Sequence, residues 1–186
     1  MEKNTWQPLN PESEKTLLPG QDNGSQGHSK SFFNNFAAVE YAMRWWNKRN
    51  PAFLSFEDNC TNFISQCLYA GGLPMEFREN PEQGWWIKKD RWSYSWSVAH
   101  SLRWYLSTIP FLKQVNTAKE LELGDLISYS WNGNNVWNHF TIVTGKDRDK
   151  EPLVNANTMD SRLRHWAYQD SPSFTRQTKY IFWHFR

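Results

Sequence analysis

At 186 residues the chain is long enough to bury a core without help from disulfides or a structural metal. Its net charge of +2 is too small to argue for nucleic acid or an anionic membrane surface, and the cluster Lys88-Lys89-Asp90-Arg91 reads as a solvated face. With two cysteines and neither a CxxC nor an HExxH pattern, neither a disulfide framework nor a zinc site is expected.

Residues 1–30 are polar, rich in Gly, Ser, Asn, Gln and Pro, and lack periodicity, which predicts a flexible tail or linker ahead of one domain over 31–186. No basic-then-apolar leader and no run of 18 apolar residues is present, so a soluble chain without a visible export signal or membrane partner is expected. From about Asn34 to Lys48, the spacing of Phe36, Val39, Met43 and Trp46 predicts a helix with those side chains on its inner face. Asn50-Pro51 ends it.

The next helix carries the chemistry. Asp58 or Asn59 can cap its start and Gly71-Gly72 its end, with Cys60, Phe63, Ile64 and Cys67 on one stripe. The two cysteines would lie roughly 10 Å apart along the axis, too far to bridge. Only Cys60 occupies the first turn, where unpaired N–H groups and the helix dipole favour a thiolate. The plain alternative is that Cys60 is a small buried hydrophobe.

Between Leu73 and Ser97 the pattern is irregular and aromatic, and Trp85, Trp86, Trp92 and Trp96 are read as one wall of a substrate groove. Ser97 can cap a helix with the stripe Val98, Leu102, Tyr105, Leu106 and Ile109, stopped by Pro110. His100 falls on the side of that helix. Strands follow at Asp125 to Trp131, Asn138 to Thr144, Pro152 to Thr158 and Lys179 to Phe185. Helices first and antiparallel strands after them predict an α+β fold.

Of five histidines, His28 lies in the tail, His165 in a basic polar stretch and His184 beside the C-terminus. His139 opens an apolar strand, so the sheet can hold it rigidly at a sheet end. Asn155 or Asn157 on the next strand can accept the imidazole N–H and fix its tautomer. A helix-borne cysteine, then a strand histidine, then a strand asparagine is the order of papain-like cysteine hydrolases.

The run Asp58-Asn59-Cys60-Thr61-Asn62-Phe63-Ile64-Ser65-Gln66-Cys67-Leu68-Tyr69-Ala70-Gly71-Gly72 resembles the signature of the putative amidase domain family. That family is a bacterial branch of the papain-like superfamily, which also holds the NlpC-type peptidases and CHAP amidases. Tyr41-Ala42, Gly84-Trp85-Trp86, Ser95-Trp96-Ser97-Val98, Leu123-Gly124-Asp125-Leu126-Ile127 and His139-Phe140-Thr141-Ile142-Val143-Thr144-Gly145 extend the likeness over about residues 36–166. The resemblance implies N-terminal helices packed on a C-terminal antiparallel sheet. It also implies cysteine-dependent hydrolysis of amide bonds, in peptidoglycan or a peptide, by a monomer needing no cofactor. Cys60 would be the nucleophile, His139 the base and Asn157 the third residue, with Asn155 its alternative. The chain departs from the family pattern at Asn59, where an acidic residue is expected, and at Asn157, where histidine is common. The loop Asn132-Gly133-Asn134-Asn135 lacks the family's aspartates, so no metal is expected. Asn59 is an expected substrate contact, and Asn59, Asn62 and the backbone near Asp58 are the candidates for a second oxyanion donor beside the Cys60 N–H. Two other readings stand beside hydrolysis: a non-catalytic wall- or glycan-binding module, and an acyltransferase or transpeptidase using the same cysteine. The suspected substrate lies outside the cytoplasm, whereas the chain shows no export signal, so compartment stays open.

Overall fold

Helix α1 (Asn35–Trp45) is capped by Asn34, whose side-chain oxygen accepts the Ala37 N–H, and is followed by a second helix, α2 (Cys60–Ala70). A computed structural model describes residues 33–186, so the predicted tail over 1–30 lies outside the described residues. A two-strand hairpin follows, β1 (Ile87–Lys88) and β2 (Arg91–Trp92). Next come the one-turn helix α3 (Tyr94–Ser97) and helix α4 (Ala99–Leu106). Six further strands follow, with a single 3-10 turn (Ala118–Glu120) between the first two: β3 (Leu112–Val115), β4 (Leu126–Ser130), β5 (His139–Lys146), β6 (Pro152–Ala156), β7 (Ser161–His165) and β8 (Lys179–Phe185).

These six strands form one sheet in the order β3-β8-β4-β5-β6-β7, every neighbouring pair antiparallel. The fold is α+β. Because strand side chains alternate between faces, the sheet carries two cores. Leu126, Phe140, Ile142 and Trp183 meet the helices on one face. Ile127, Tyr129, Val143 and Val154 pack with Leu121 and Tyr168 on the other. Strand β4 is therefore buried along its whole length.

The inner stripe of α1 is not the expected one. Ala38, Tyr41 and Ala42 are buried, whereas Phe36 is 72% exposed. Both stripes have helical spacing, and the small alanines win because they bring the backbone close to its neighbours. The Ala42 carbonyl accepts from the Asn155 side chain on β6.

Helix α2 is buried on all sides, nine of its residues from Cys60 to Leu68 being inaccessible, so its polar positions must find partners inside the protein. Gln66 accepts from the Tyr41 hydroxyl at 2.6 Å. Ser65 donates to the Trp96 carbonyl and accepts from the Trp85 indole. Asn62 accepts from the Trp96 indole at 2.7 Å and donates to the Leu54 carbonyl and to Asn59. Trp85, Trp86 and Trp96 are thus core residues rather than a groove wall. Trp85 and Trp96 pack ring to ring at 4.9 Å, and Trp86 donates its indole N–H to the Gln83 carbonyl. Trp92 is half-buried and meets Phe56 edge to face. The expected Ser97 cap is also displaced: Ser97 closes α3, and the 46% exposed Val98 precedes α4.

Candidate active site

Cys60 opens α2, and its Sγ lies 3.8 Å from Thr61 Oγ1 and 4.0 Å from the carbonyl oxygen of Asn138, the residue before β5. The thiol therefore sits against the entry of the strand that His139 begins. The β5–β6 ladder runs from Ile142↔Asn155 to Lys146↔Pro152, so the first residues of β5 lie beyond its end. Cys60 and His139 both line a cavity of about 450 Å³, with Asp58, Thr61, Trp131, Trp137, Thr158, Arg164 and Tyr168 among its other walls. Its tryptophans are Trp131 and Trp137, which no sequence pattern singles out, rather than those expected from residues 85–96.

The imidazole is boxed by rings. Trp131 stacks on it at 5.7 Å, and Tyr129 and Tyr168 each approach to 5.5 Å. Tyr129 is the β4 residue directly opposite His139, which fixes that contact through the sheet register. The box leaves Nε2 buried without a hydrogen-bond partner. Burial, with a smaller contribution from the Arg164 cation, pushes the His139 pKa down to about 4, so the ring is neutral at pH 7. Burial also raises the Cys60 thiol; hydrogen bonds from Thr61 and the Phe140 backbone oppose this, and Asp58 adds to it. The resting pair is accordingly thiol and imidazole rather than thiolate and imidazolium. No hydrogen bond joins the two side chains in this conformation.

Neither asparagine orients His139. Asn157 accepts from Asn59 Nδ2 at 2.7 Å and donates to the Trp45 and Trp46 carbonyls, closing the C-terminus of α1. Asn155 accepts from Thr144 Oγ1 and the Leu163 N–H and donates to the Ala42 carbonyl. With those bonds made, both amides tie β6 and the turn after it to their neighbours, and neither makes the expected contact with the imidazole.

Asn59 is likewise committed. Its Oδ1 accepts from the Phe56 N–H and from Asn62 Nδ2, and its own N–H donates to Thr158 Oγ1 at 2.6 Å. It occupies the cap position of α2 without making the side-chain cap bond, and its amide is not free for substrate. The turn after β6 therefore grips the start of α2 twice, through Asn157 and Thr158. Thr158 and Met159 hold φ of 60° and 56°, a left-handed pair that costs a β-branched residue on the order of 1–2 kcal/mol. The bond from Asn59 offsets part of that.

Two other histidines have different duties. His184 Nδ1 pairs with the buried Asp125 carboxylate at 2.7 Å, and His100 Nδ1 accepts from the Trp137 N–H at the cavity rim. Cys67 is fully buried among apolar side chains, with its thiol raised by burial.

A cysteine at the start of a buried helix is thus set against the entry of a histidine-bearing antiparallel strand in an α+β fold. The comparisons place it more closely. The model of the family described as the putative amidase domain matches residues 32–183, and the chain belongs to that family. It is 51% identical over 155 residues to the uncharacterized protein YhbB of Bacillus subtilis (strain 168), covering 82% of this chain and 50% of that protein. It is 29% identical over 125 residues to the uncharacterized protein YjcM of the same organism, covering 61% of this chain and 28% of that one. The chain thus spans at most half the length of these curated relatives.

Proposed function

We propose that this amidase-like domain is a cysteine-dependent hydrolase of papain-like type acting on amide bonds of peptidoglycan or a related peptide, with Cys60 as nucleophile and His139 as general base. The observation that carries the reading is the shared cavity: a first-turn cysteine and a buried imidazole with an unpartnered nitrogen open onto the same space. The neutral ring takes the thiol proton as sulfur attacks the amide carbonyl. The resulting oxyanion is held by backbone N–H groups of the first turn of α2, where the Cys60 N–H is the donor at hand. Collapse breaks the C–N bond, the imidazolium returns its proton to the leaving amine, and water then cleaves the thioester to a free carboxylate. Asn155 and Asn157 support this site through the backbone rather than as members of a relay. Purified muropeptides incubated with the protein and resolved by mass spectrometry test the reading. Cleavage by the wild type that is lost in Cys60→Ala is expected; no cleavage, or equal cleavage by both, rejects it.

A second reading has one observation in its favour. Because thiol and imidazole are not hydrogen-bonded and the thiol is raised, the same cavity suits a wall- or glycan-binding module without catalysis. Iodoacetamide labelling near neutral pH separates the two, since an activated Cys60 reacts much faster than an ordinary thiol of pKa ~8.5. Transfer to an added amine rather than to water would identify an acyltransferase.

A further inference from the structure

One charged side chain in the cavity is used by neither the fold's core nor the proposed chemistry. Arg164, on β7, lines the same space as Cys60 and His139 and is only 19% exposed. Its guanidinium lies 4.1 Å from the centre of the Tyr168 ring, which fixes its plane. Among the described residues its ion-pair partner is Asp170, whose Oδ1 accepts from Nε at 3.0 Å and from Nη2 at 2.8 Å. The two ends of this pair are unlike. Asp170 is 73% exposed, and an ion pair whose carboxylate stays in water is worth only about 0–1 kcal/mol. The cation is therefore pre-oriented and largely buried, and its partner is a carboxylate on the solvent side that a second anion can displace. The seryl residues Ser171 and Ser173 stand on the same wall.

The geometry points to a carboxylate subsite: Arg164 receives a free carboxylate of the substrate in place of Asp170, so that the amide presented to Cys60 belongs to a peptide bearing such a group nearby. This rests on the proposed role of Cys60. Several features agree with it. A guanidinium fork matches a carboxylate in two-bond geometry and gives orientation as well as attraction. The pocket is polarised, with Asp58 at the α2 end and Arg164 on the β7 side, so an incoming anion is directed away from the helix start and over the sheet. The Arg164 charge also depresses His139, and a bound anion would relieve that, tying occupancy of the subsite to the readiness of the base.

The test uses two small alkylating reagents that differ in charge, iodoacetate and iodoacetamide, with modification of Cys60 read by mass spectrometry on the whole chain. The quantity is the ratio of the two rates, which cancels any change in the thiol itself. Relative to a free thiol standard, the wild-type ratio should favour iodoacetate, and Arg164→Gln should lower it by roughly tenfold, the scale of one charge-assisted hydrogen bond. Asp170→Asn, which keeps the cation and removes its competitor, should raise it, and this variant keeps the test valid if Arg164→Gln does not fold. Ratios equal to the standard in wild type and unmoved in Asp170→Asn overturn the subsite while leaving Cys60 as nucleophile. Failure of either reagent to reach Cys60 overturns the nucleophile assignment, and the subsite falls with it.

Discussion

Asn59 Nδ2 donates to Asn157 Oδ1 at 2.7 Å, joining the residue before the candidate nucleophile to the turn after β6. The family resemblance leads one to expect a carboxylate at the first of these positions and commonly a histidine at the second. The chain departs at both, and the two departures touch: a neutral amide pair stands where an acid and an imidazole would. The pair should therefore behave as a unit. Asn59→Asp alone replaces a donor facing an amide oxygen by a buried carboxylate oxygen facing it, with no cation beside it, and should cost about 3 kcal/mol. Asn157→His alone should cost about 2 kcal/mol, because it gives up bonds to the Trp45 and Trp46 carbonyls. The double variant should be more stable than the sum by at least about 1 kcal/mol, as coupled neighbours are. Urea unfolding of the four proteins measures this, and strict additivity would show that the two sites act separately.

The two cysteines should separate cleanly in function. Cys60→Ala is expected to abolish hydrolysis and alkylation, and to change stability by no more than about 1 kcal/mol because Cys60 borders a cavity. Cys67→Ala removes sulfur from a fully enclosed site and should destabilise by about 1 kcal/mol while activity persists. Thermal unfolding and product analysis on the same samples check both. Activity that tracked Cys67 instead would assign the wrong thiol.

What could be read from the sequence divides along a physical line. Periodicity and turn residues located α2, β4, β5, β6 and β8, since each is a strongly patterned run. The short edge strands β3 and β7 were missed, because half-exposed polar strands such as Ser161–His165 lack alternation. Cys60 was legible from its helix position and His139 from its strand position. The aromatic assignments failed for one reason: indoles serve core and groove equally well, and only the buried hydroxyl and amides of Ser65 and Asn62, which receive the Trp85 and Trp96 N–H groups, decide between them. That signal was present in the polar residues of α2. The Asn157 partners and the Ala42 partner of Asn155 were not legible, because they lie around the end of α1 and the start of α2, about a hundred residues away along the chain.

Stability should depend on pH through His139. Its folded pKa, about 4, lies below the ordinary 6.5, so the unfolded chain binds the extra proton between these values. The contribution is fully present above pH 6.5 and is lost as pH falls toward 4, amounting to about 3 kcal/mol at neutrality. Urea midpoints measured from pH 7 to 4 should fall for the wild type, and the fall should be smaller in His139→Gln. Parallel curves would mean that His139 is already accessible to protons.

Two tryptophans near the ends of the aromatic inventory should respond in opposite ways. Trp96 is fully enclosed, donates to Asn62 and packs on Trp85 and Phe53, so Trp96→Ala should cost about 3–5 kcal/mol and leave little folded protein. Trp131 is half-buried, lines the cavity and stacks on His139 with 27° between the planes. Trp131→Ala should cost only about 1–2 kcal/mol, yet lower kcat roughly tenfold or more, because the ring that holds the imidazole in plane is gone and water reaches Nε2. Trp131→Phe retains a stacking face and should recover much of that loss. Steady-state kinetics beside unfolding curves distinguish the outcomes. If Trp131→Ala lost stability as Trp96→Ala does, the rings around His139 would be core rather than the frame of a working base.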